Sequence, residues 1–140
     1  MILTKENESL RISSKAENIV LVEKFVDEVC ATFKVNEDCY GNILVALTEA
    51  VNNAILHGNK NNADKSVEIS FKYSPEQISF TVKDEGPGFD YDHLPDPTDP
   101  QNLEKLNGRG VFLMRNLADK VSFDDNGSTV ILDFKLLTAA

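Results

Sequence analysis

The sequence has few cysteines and no long apolar run, and both absences narrow the class of protein. Cys30 and Cys39 are the two cysteines among 140 residues, and their spacing does not match a metal-binding motif. We expect two buried thiols in a reducing compartment, because small secreted domains held by disulfides carry more cysteine. No segment approaches the roughly 20 apolar residues that span a bilayer, and the first residues do not resemble a signal peptide. We therefore predict a cytoplasmic protein with no membrane contact.

Basic residues are also scarce in this chain. Lysine and arginine number 14 against 23 aspartates and glutamates, which gives a formal net charge of −9. Because nucleic-acid binding depends on clustered basic side chains, we predict no nucleic-acid partner. Nucleotide binding remains open, since a few backbone amides and one metal ion can neutralise phosphates.

The chain does contain enough apolar material for a globular core. Hydrophobic residues make up 41% of the sequence, far more than a disordered chain carries. The length suits one domain, and no repeat or linker interrupts it. We therefore predict a single domain over residues 1–140.

Apolar residues at three- and four-residue steps predict three helices. The predicted helices cover 15–34, 36–57 and about 109–118. Ser14 and Glu17 have the spacing of a capping box at the start of the first helix. Asn36 is a suitable N-cap for the second helix, and Gly58 is suited to end it.

Alternating apolar and polar residues predict strands between and after these helices. The predicted strands are 8–13, 67–73, 78–83 and two that close the chain around a hairpin turn at Asp125-Asn126-Gly127. The order β-α-α-β-β-lid-α-β-β predicts a two-layer α/β sandwich, with a mainly antiparallel mixed sheet and helices on one face. Residues 85–108 show no sustained period and contain Pro95, Pro97 and Pro100, so we interpret about 89–107 as a lid.

The second predicted helix has two distinct faces. Its apolar stripe comprises Leu44, Leu47, Val51, Ala54 and Ile55, and its opposite face holds Val45, Ala46, Glu49, Asn52 and Asn53. Glu49 and Asn53 are four residues apart and therefore project side by side. They form either an ordinary surface pair, or a carboxylate that orients a nucleophile beside an amide oxygen that binds a hard metal ion. Asn52 is a competing candidate for the metal.

Asp84 follows the third predicted strand with the parity of its apolar residues, so it should face inward. A buried carboxylate needs a partner, and it can accept a hydrogen bond from an adenine amino group. Gly86 and Gly88 follow, and glycines let the backbone approach a flat ligand closely. The alternative is an ordinary turn-forming aspartate before glycine.

A second pair of glycines, Gly108 and Gly110, flanks Arg109 at the start of the third predicted helix. Glycines before a helix expose amide hydrogens to an anion, and the helix dipole assists. The pair is not a dinucleotide fingerprint, because no strand precedes it and a third glycine is absent. The alternative is a plain α/β scaffold in which all these glycines are only turns.

Together, Glu49-x-x-x-Asn53, Asp84-x-Gly86-x-Gly88 and Gly108-x-Gly110 resemble the three boxes of the GHKL (histidine kinase-like) ATPase superfamily, which groups gyrase, Hsp90, histidine kinases and MutL. The resemblance covers about residues 8–136. Within that superfamily, the stretches 47–58 and 108–117 are most similar to the anti-sigma factor serine kinases of bacteria, which are small stand-alone domains.

The resemblance implies roles for individual residues. Asn53 would bind the Mg²⁺ that bridges the phosphates of ATP, and Glu49 would act as the general base. Asp84 would recognise the adenine amino group. The other residues assigned to ATP are Gly86 and Gly88 at the base, Thr129 near Asp84, and Gly108, Arg109 and Gly110 along the triphosphate.

The resemblance also implies a function in transcription regulation. A protein of this kind uses ATP to phosphorylate a serine of an anti-sigma factor antagonist, a STAS-type protein, and it sequesters a sigma factor. A homodimer is expected from the family. The alternative is a catalytically weak ATP-binding module that holds a partner protein without phosphotransfer.

Overall fold

A computed structural model describes residues 7–87 and 106–136 of the chain. The strands are β1 (Asn7–Ser13), β2 (Ser66–Tyr73), β3 (Gln77–Lys83), β4 (Lys120–Asp124) and β5 (Thr129–Lys135); the helices are α1 (Ile19–Thr32), α2 (Glu37–Asn53) and α3 (Leu106–Leu117). A π-helical turn, Ala54–Gly58, continues α2. Most of the predicted lid, 89–107, lies outside the described residues.

The five described strands form one sheet in the order β1-β2-β3-β5-β4. Each neighbouring pair is antiparallel, so the sheet contains no parallel pairing in the part of the chain that is described. The last strand in sequence therefore lies beside β3, inside the sheet. The predicted two-layer α/β sandwich and the closing β4–β5 hairpin are confirmed.

Alternate residues of the inner strands point to the face that the helices cover. These buried residues are Val67, Ile69 and Phe71 of β2, Ile78, Phe80 and Val82 of β3, and Val130, Leu132 and Phe134 of β5. The rings of Phe71, Phe80 and Phe134 follow one another across the sheet with centroids 6.1 and 6.4 Å apart. Phe25 of α1 meets Phe71 edge to face at 5.8 Å, a favourable geometry for aromatic pairs.

The predicted helix starts have different outcomes. Asn36 caps α2 as predicted, because its side-chain oxygen accepts a hydrogen bond from the Cys39 amide at 2.8 Å. The predicted capping box is wrong. Ser14 is buried, its hydroxyl donates to the Lys65 carbonyl at 2.8 Å, and α1 begins later, at Ile19, after a short 3₁₀ turn.

The two cysteines are free thiols. Cys30 is buried in α1, and burial raises its pKa to about 12. Cys39 is partly buried in α2, and burial raises its pKa as well. A thiol with a raised pKa is a poor nucleophile, which agrees with the structural role predicted for both. Within the described ranges, no helix has the length and apolar character needed to cross a membrane.

Candidate functional site

A cavity of about 220 Å³ opens between α2, α3 and the adjoining ends of β3 and β5. Its apolar wall is formed by Ala50, Ala54, Val82, Met114, Phe123 and Val130, and the rest by Asn53, His57, Gly58, Asp84, Gly127 and Ser128. Pockets that enclose whole drug-sized ligands have volumes of about 300–1,000 Å³. The smaller cavity therefore suits a flat base, with the rest of a larger ligand outside it.

Asp84 supplies the carboxylate of this cavity. It follows β3 directly, and its amide donates to the Ser128 carbonyl at 2.9 Å, which holds it against the start of β5. Its Oδ1 accepts a hydrogen bond from the Gly86 amide at 2.7 Å. Burial raises the pKa of Asp84, while the Gly86 amide and the charge of Lys65 oppose that shift. The inward direction predicted from strand parity is confirmed.

Gly58 packs against Asp84, and Gly86 packs against Gly58, so closely that neither position leaves space for a side chain. A methyl group added to Gly58 would overlap the Asp84 carboxylate, at 2.7 Å from Oδ1. A methyl group on Gly86 would overlap the carbonyl of Gly58 and lie 2.9 Å from its Cα. Gly58 was predicted only to end a helix, so this second role was missed. Gly88 lies outside the described residues.

Ala50 and Asn53 are the two residues of α2 that line the cavity. Glu49, one turn earlier, is partly buried and lies outside the cavity wall, as does Asn52. Ala46 and Ala50 precede Asn53 by two turns and one turn on the same side of α2, and both are buried. Ala46 is thus buried on the face that was predicted to lie opposite the apolar stripe, and α3 packs against α2.

The glycines of the third predicted box lie inside α3 rather than before it. The predicted start near Arg109 is wrong, because α3 already begins at Leu106. Gly108 consequently belongs to the first turn, where helix amides lack an intrahelical acceptor. Gly110 is buried against Asn53, and a methyl group on it would lie 2.7 Å from Nδ2 and 3.2 Å from Oδ1 of that asparagine. The side chain of Arg109 is outside the described part of the chain.

Ser128, rather than Thr129, brings a hydroxyl-bearing residue to the cavity. The hydroxyl of Thr129 donates to Asp125 Oδ2 at 3.0 Å, and Thr129 does not line the cavity. The register pairs Lys83 with Thr129, so Ser128 falls opposite Asp84. The pairing register of β3 with β5 could have identified Ser128. The alternation of apolar residues in the sequence does not determine that register to within one residue.

His57 lies at the edge of the cavity, in the π-helical turn. Burial lowers its pKa, so the imidazole is neutral at pH 7. No group of three His, Cys, Asp or Glu side chains that could hold a metal ion occurs among the described residues.

Comparison with known proteins supports an assignment. The sequence profile of the histidine kinase-like ATPase domain matches residues 12–134. The chain belongs to the histidine kinase-like ATPase family. It is 27% identical over 135 residues to a serine-protein kinase RsbW of Staphylococcus epidermidis, covering 91% of this chain and 85% of that protein. It is also 27% identical over 129 residues to the serine-protein kinase RsbW of Staphylococcus aureus strain JH9, covering 86% and 81% of the two chains.

The predicted resemblance to the GHKL superfamily, and within it to the anti-sigma factor serine kinases, is thus confirmed. In this histidine kinase-like ATPase domain, Gly58, which follows the first box by five residues, contacts Asp84 of the second box, and Gly110 of the third box contacts Asn53 of the first. Three segments far apart in sequence therefore surround one cavity.

Proposed function

We propose that this domain binds Mg-ATP in the cavity and transfers the terminal phosphate to a serine of an antagonist protein, and that it sequesters a sigma factor. The position of Asp84 at the cavity is the observation that carries the proposal. A partly buried carboxylate at a base-sized apolar cavity is suited to accept a hydrogen bond from the adenine amino group. The serine-protein kinases among the relatives support the reaction class.

The residues present fit a magnesium ion held mainly by the nucleotide. Mg²⁺ is usually bound by one or two protein oxygens together with phosphates and water. Asn53 offers an amide oxygen at the cavity wall, and no three-residue ligand cluster competes with it in the described part of the chain. When bound, the ion would neutralise charge on the phosphates. Asn53 is the residue that we assign to it.

Phosphoryl transfer requires positioning and charge stabilisation more than covalent chemistry by the protein. Gly108 lies in the amide-rich first turn of α3, and Gly110 brings that helix against Asn53. We assign this helix start to the triphosphate. Glu49, one turn from Asn53, would accept the proton of the attacking serine hydroxyl. We place this activity in the cytoplasm, where ATP is available and free thiols such as Cys30 persist.

One observation favours a second function, an ATP-binding module that holds a partner without phosphotransfer. Glu49 does not line the cavity, so nucleotide binding does not depend on its position. Such a module would retain the roles of Asp84 and Asn53 and lack only the final chemical step. The two functions therefore differ in what Glu49 does.

Glu49→Gln separates these functions. We expect the variant to keep its ATP affinity within a few-fold, because the carboxylate lies outside the cavity wall. It should lose phosphate transfer to the antagonist by about 10²–10⁴-fold, the typical contribution of a positioned base. Calorimetry measures binding, and labelled phosphate transferred from ATP measures the reaction.

Glu37→Gln, the same substitution in the exposed first turn of α2, is the matched control and should leave both measurements unchanged. A parent protein that binds ATP and transfers no phosphate to any antagonist would contradict the kinase proposal and favour the binding module.

A further inference from the structure

Asn59 is a buried polar residue directly after the π-helical turn, and only 1% of its surface is exposed. Its Nδ2 donates to the hydroxyl of Ser14 at 2.8 Å and to the carbonyl of Ser66 at 2.9 Å. Its Oδ1 accepts a hydrogen bond from the amide of Glu85 at 2.7 Å. One side chain therefore joins the end of β1, the start of β2 and the segment that follows Asp84.

The chemistry of the partners fixes the orientation of this amide. The Ser66 carbonyl can only accept a hydrogen bond, and the Glu85 amide can only donate one. A flipped Asn59 side chain would place donor against donor and acceptor against acceptor. Only asparagine's combination of two donor hydrogens and one acceptor at this length satisfies the three partners, which explains how a polar group is buried here.

The bond to Glu85 bears directly on Asp84. Consecutive amides of this turn are each held by a different partner: that of Asp84 by the Ser128 carbonyl, that of Glu85 by Asn59, and that of Gly86 by the Asp84 carboxylate. Glu85 is fixed a second time, because its carboxylate accepts the Ser66 amide at 2.5 Å. The direction of the Asp84 carboxylate thus depends on a turn whose middle amide is anchored by Asn59.

We propose that Asn59 is a positioning residue for base recognition, which holds the Asp84–Gly86 turn so that the Asp84 carboxylate faces the cavity. This inference rests on the proposed function, in which that carboxylate accepts a hydrogen bond from adenine. Asn59 does not line the cavity. Its effect passes through the Glu85 amide.

Ser14 allows the positioning role to be separated from a purely structural one. Ser14 is buried to the same degree as Asn59 and shares one of its hydrogen bonds, but its other bonds go to Lys65 and not to the described turn at Glu85. Loss of the Ser14 hydroxyl should weaken the fold and leave the turn in place. Loss of the Asn59 side chain should weaken the fold and also release the turn.

The test compares ATP with purine riboside triphosphate, which lacks the amino group that Asp84 would recognise. Dissociation constants for both are measured by calorimetry on the full chain, for the parent, Asn59→Ala and Ser14→Ala. We expect the parent to prefer ATP, Asn59→Ala to reduce that preference by about tenfold, and Ser14→Ala to keep it. Hydrogen exchange at the Glu85 and Gly86 amides should accelerate only in Asn59→Ala.

Asn59→Asp keeps the acceptor toward Glu85, and a buried carboxyl that takes up a proton can donate to the Ser66 carbonyl in place of the amide. It should therefore retain the preference for ATP, and it also serves as the test if the alanine variant does not fold. Three results would overturn the role of Asn59 without touching the proposed function. They are a full preference for ATP in Asn59→Ala, an equal loss of that preference in Ser14→Ala, and a loss of it in Asn59→Asp. A parent that binds both nucleotides equally would instead overturn the adenine assignment in the proposed function.

Discussion

At the scale of single residues, Asp84 combines partial burial with the acceptor role that we propose for it. One of its oxygens is bonded to the Gly86 amide, and the other has no hydrogen-bond donor among the described residues. Burial raises its pKa, so the ionised carboxylate is less stable in the folded protein than in the unfolded chain. Keeping an ionised carboxylate at this cavity therefore costs the fold some stability.

Asp84→Asn should lose ATP affinity by about ten- to hundredfold. The Gly86 amide would keep the asparagine oxygen, so the side-chain NH₂ group would face the adenine amino group, donor against donor. The same variant should be more stable than the parent at pH 7, because it removes a buried charge. Calorimetry and urea unfolding measure the two effects.

The stability difference should depend on pH in a definite direction. Because the folded pKa of Asp84 is raised, the ionised form destabilises the fold at every pH above it. As the pH falls through that pKa the folded protein takes up a proton, and the advantage of Asp84→Asn should shrink until it vanishes below about pH 4, the pKa of an unfolded aspartate. An advantage that persists unchanged in acid would contradict this origin.

Some of these residues could be predicted from the sequence and others could not. The strand alternation from Ile78 to Val82 extends to Asp84, so its inward direction follows from local periodicity. The identity of the hydroxyl residue at the cavity depends on a cross-strand register, and an error of one position exchanges Ser128 for Thr129. Gly58 and Asn59 escaped prediction because their partners, Asp84 and Glu85, lie more than 25 residues away in the chain.

At the scale of elements, the contact of α2 with α3 decides where Asn53 points. Gly110 permits this contact because it has no side chain. The spacing of apolar residues predicted both helices, and Asn36 correctly indicated where α2 starts. The same kind of signal was wrong at Ser14, since a tertiary partner, the Lys65 carbonyl, took the hydroxyl that a helix cap would have used. Local sequence patterns therefore predict helices well, but they give the wrong cap where the side chain bonds to a residue far away in the chain.

Gly110→Ala should weaken Mg-ATP binding by about tenfold, because a methyl group 2.7 Å from Nδ2 must displace the Asn53 side chain. The free energy of unfolding should change by less than about 1 kcal/mol, since the better helix propensity of alanine opposes the crowding. Calorimetry and urea unfolding test both expectations.

Gly41→Ala is the matched control, because Gly41 lies within α2 and a methyl group there meets nothing within 4 Å. It should raise the free energy of unfolding by about 0.5–1 kcal/mol and leave ATP binding unchanged. If Gly110→Ala binds Mg-ATP as tightly as the parent, Asn53 is not the residue that positions the metal.

At the scale of the whole molecule, the cavity exists because of the strand order. The hairpin of β4 and β5 inserts its second strand beside β3, and this places Ser128 opposite Asp84 while α2 and α3 close the other side. Alternating hydrophobicity predicts that strands exist and which face is buried. It does not say which strands are neighbours. The fold class and the three boxes could therefore be predicted from the sequence, whereas the way in which the boxes surround the cavity could not.

A ligand that binds only the folded chain must raise its melting temperature by mass action. At a hundredfold excess over its dissociation constant, Mg-ATP should add about 2.7 kcal/mol to the free energy of unfolding, which corresponds to about 5–10 °C for a domain of this size.

Mg-GTP should have a much smaller effect if Asp84 selects the base, and chelation of the metal should remove most of the gain if Asn53 acts through it. Asp84→Asn provides the internal control, since it should melt at a higher temperature than the parent without nucleotide. Because its affinity should be about ten- to hundredfold lower, the same Mg-ATP concentration should add only about 0.4–1.4 kcal/mol. Differential scanning calorimetry of both proteins, with and without each nucleotide, measures all these shifts. An equal gain from Mg-ATP and Mg-GTP in the parent would show that the nucleotide is held by its phosphates alone and would contradict the assignment of the cavity to adenine.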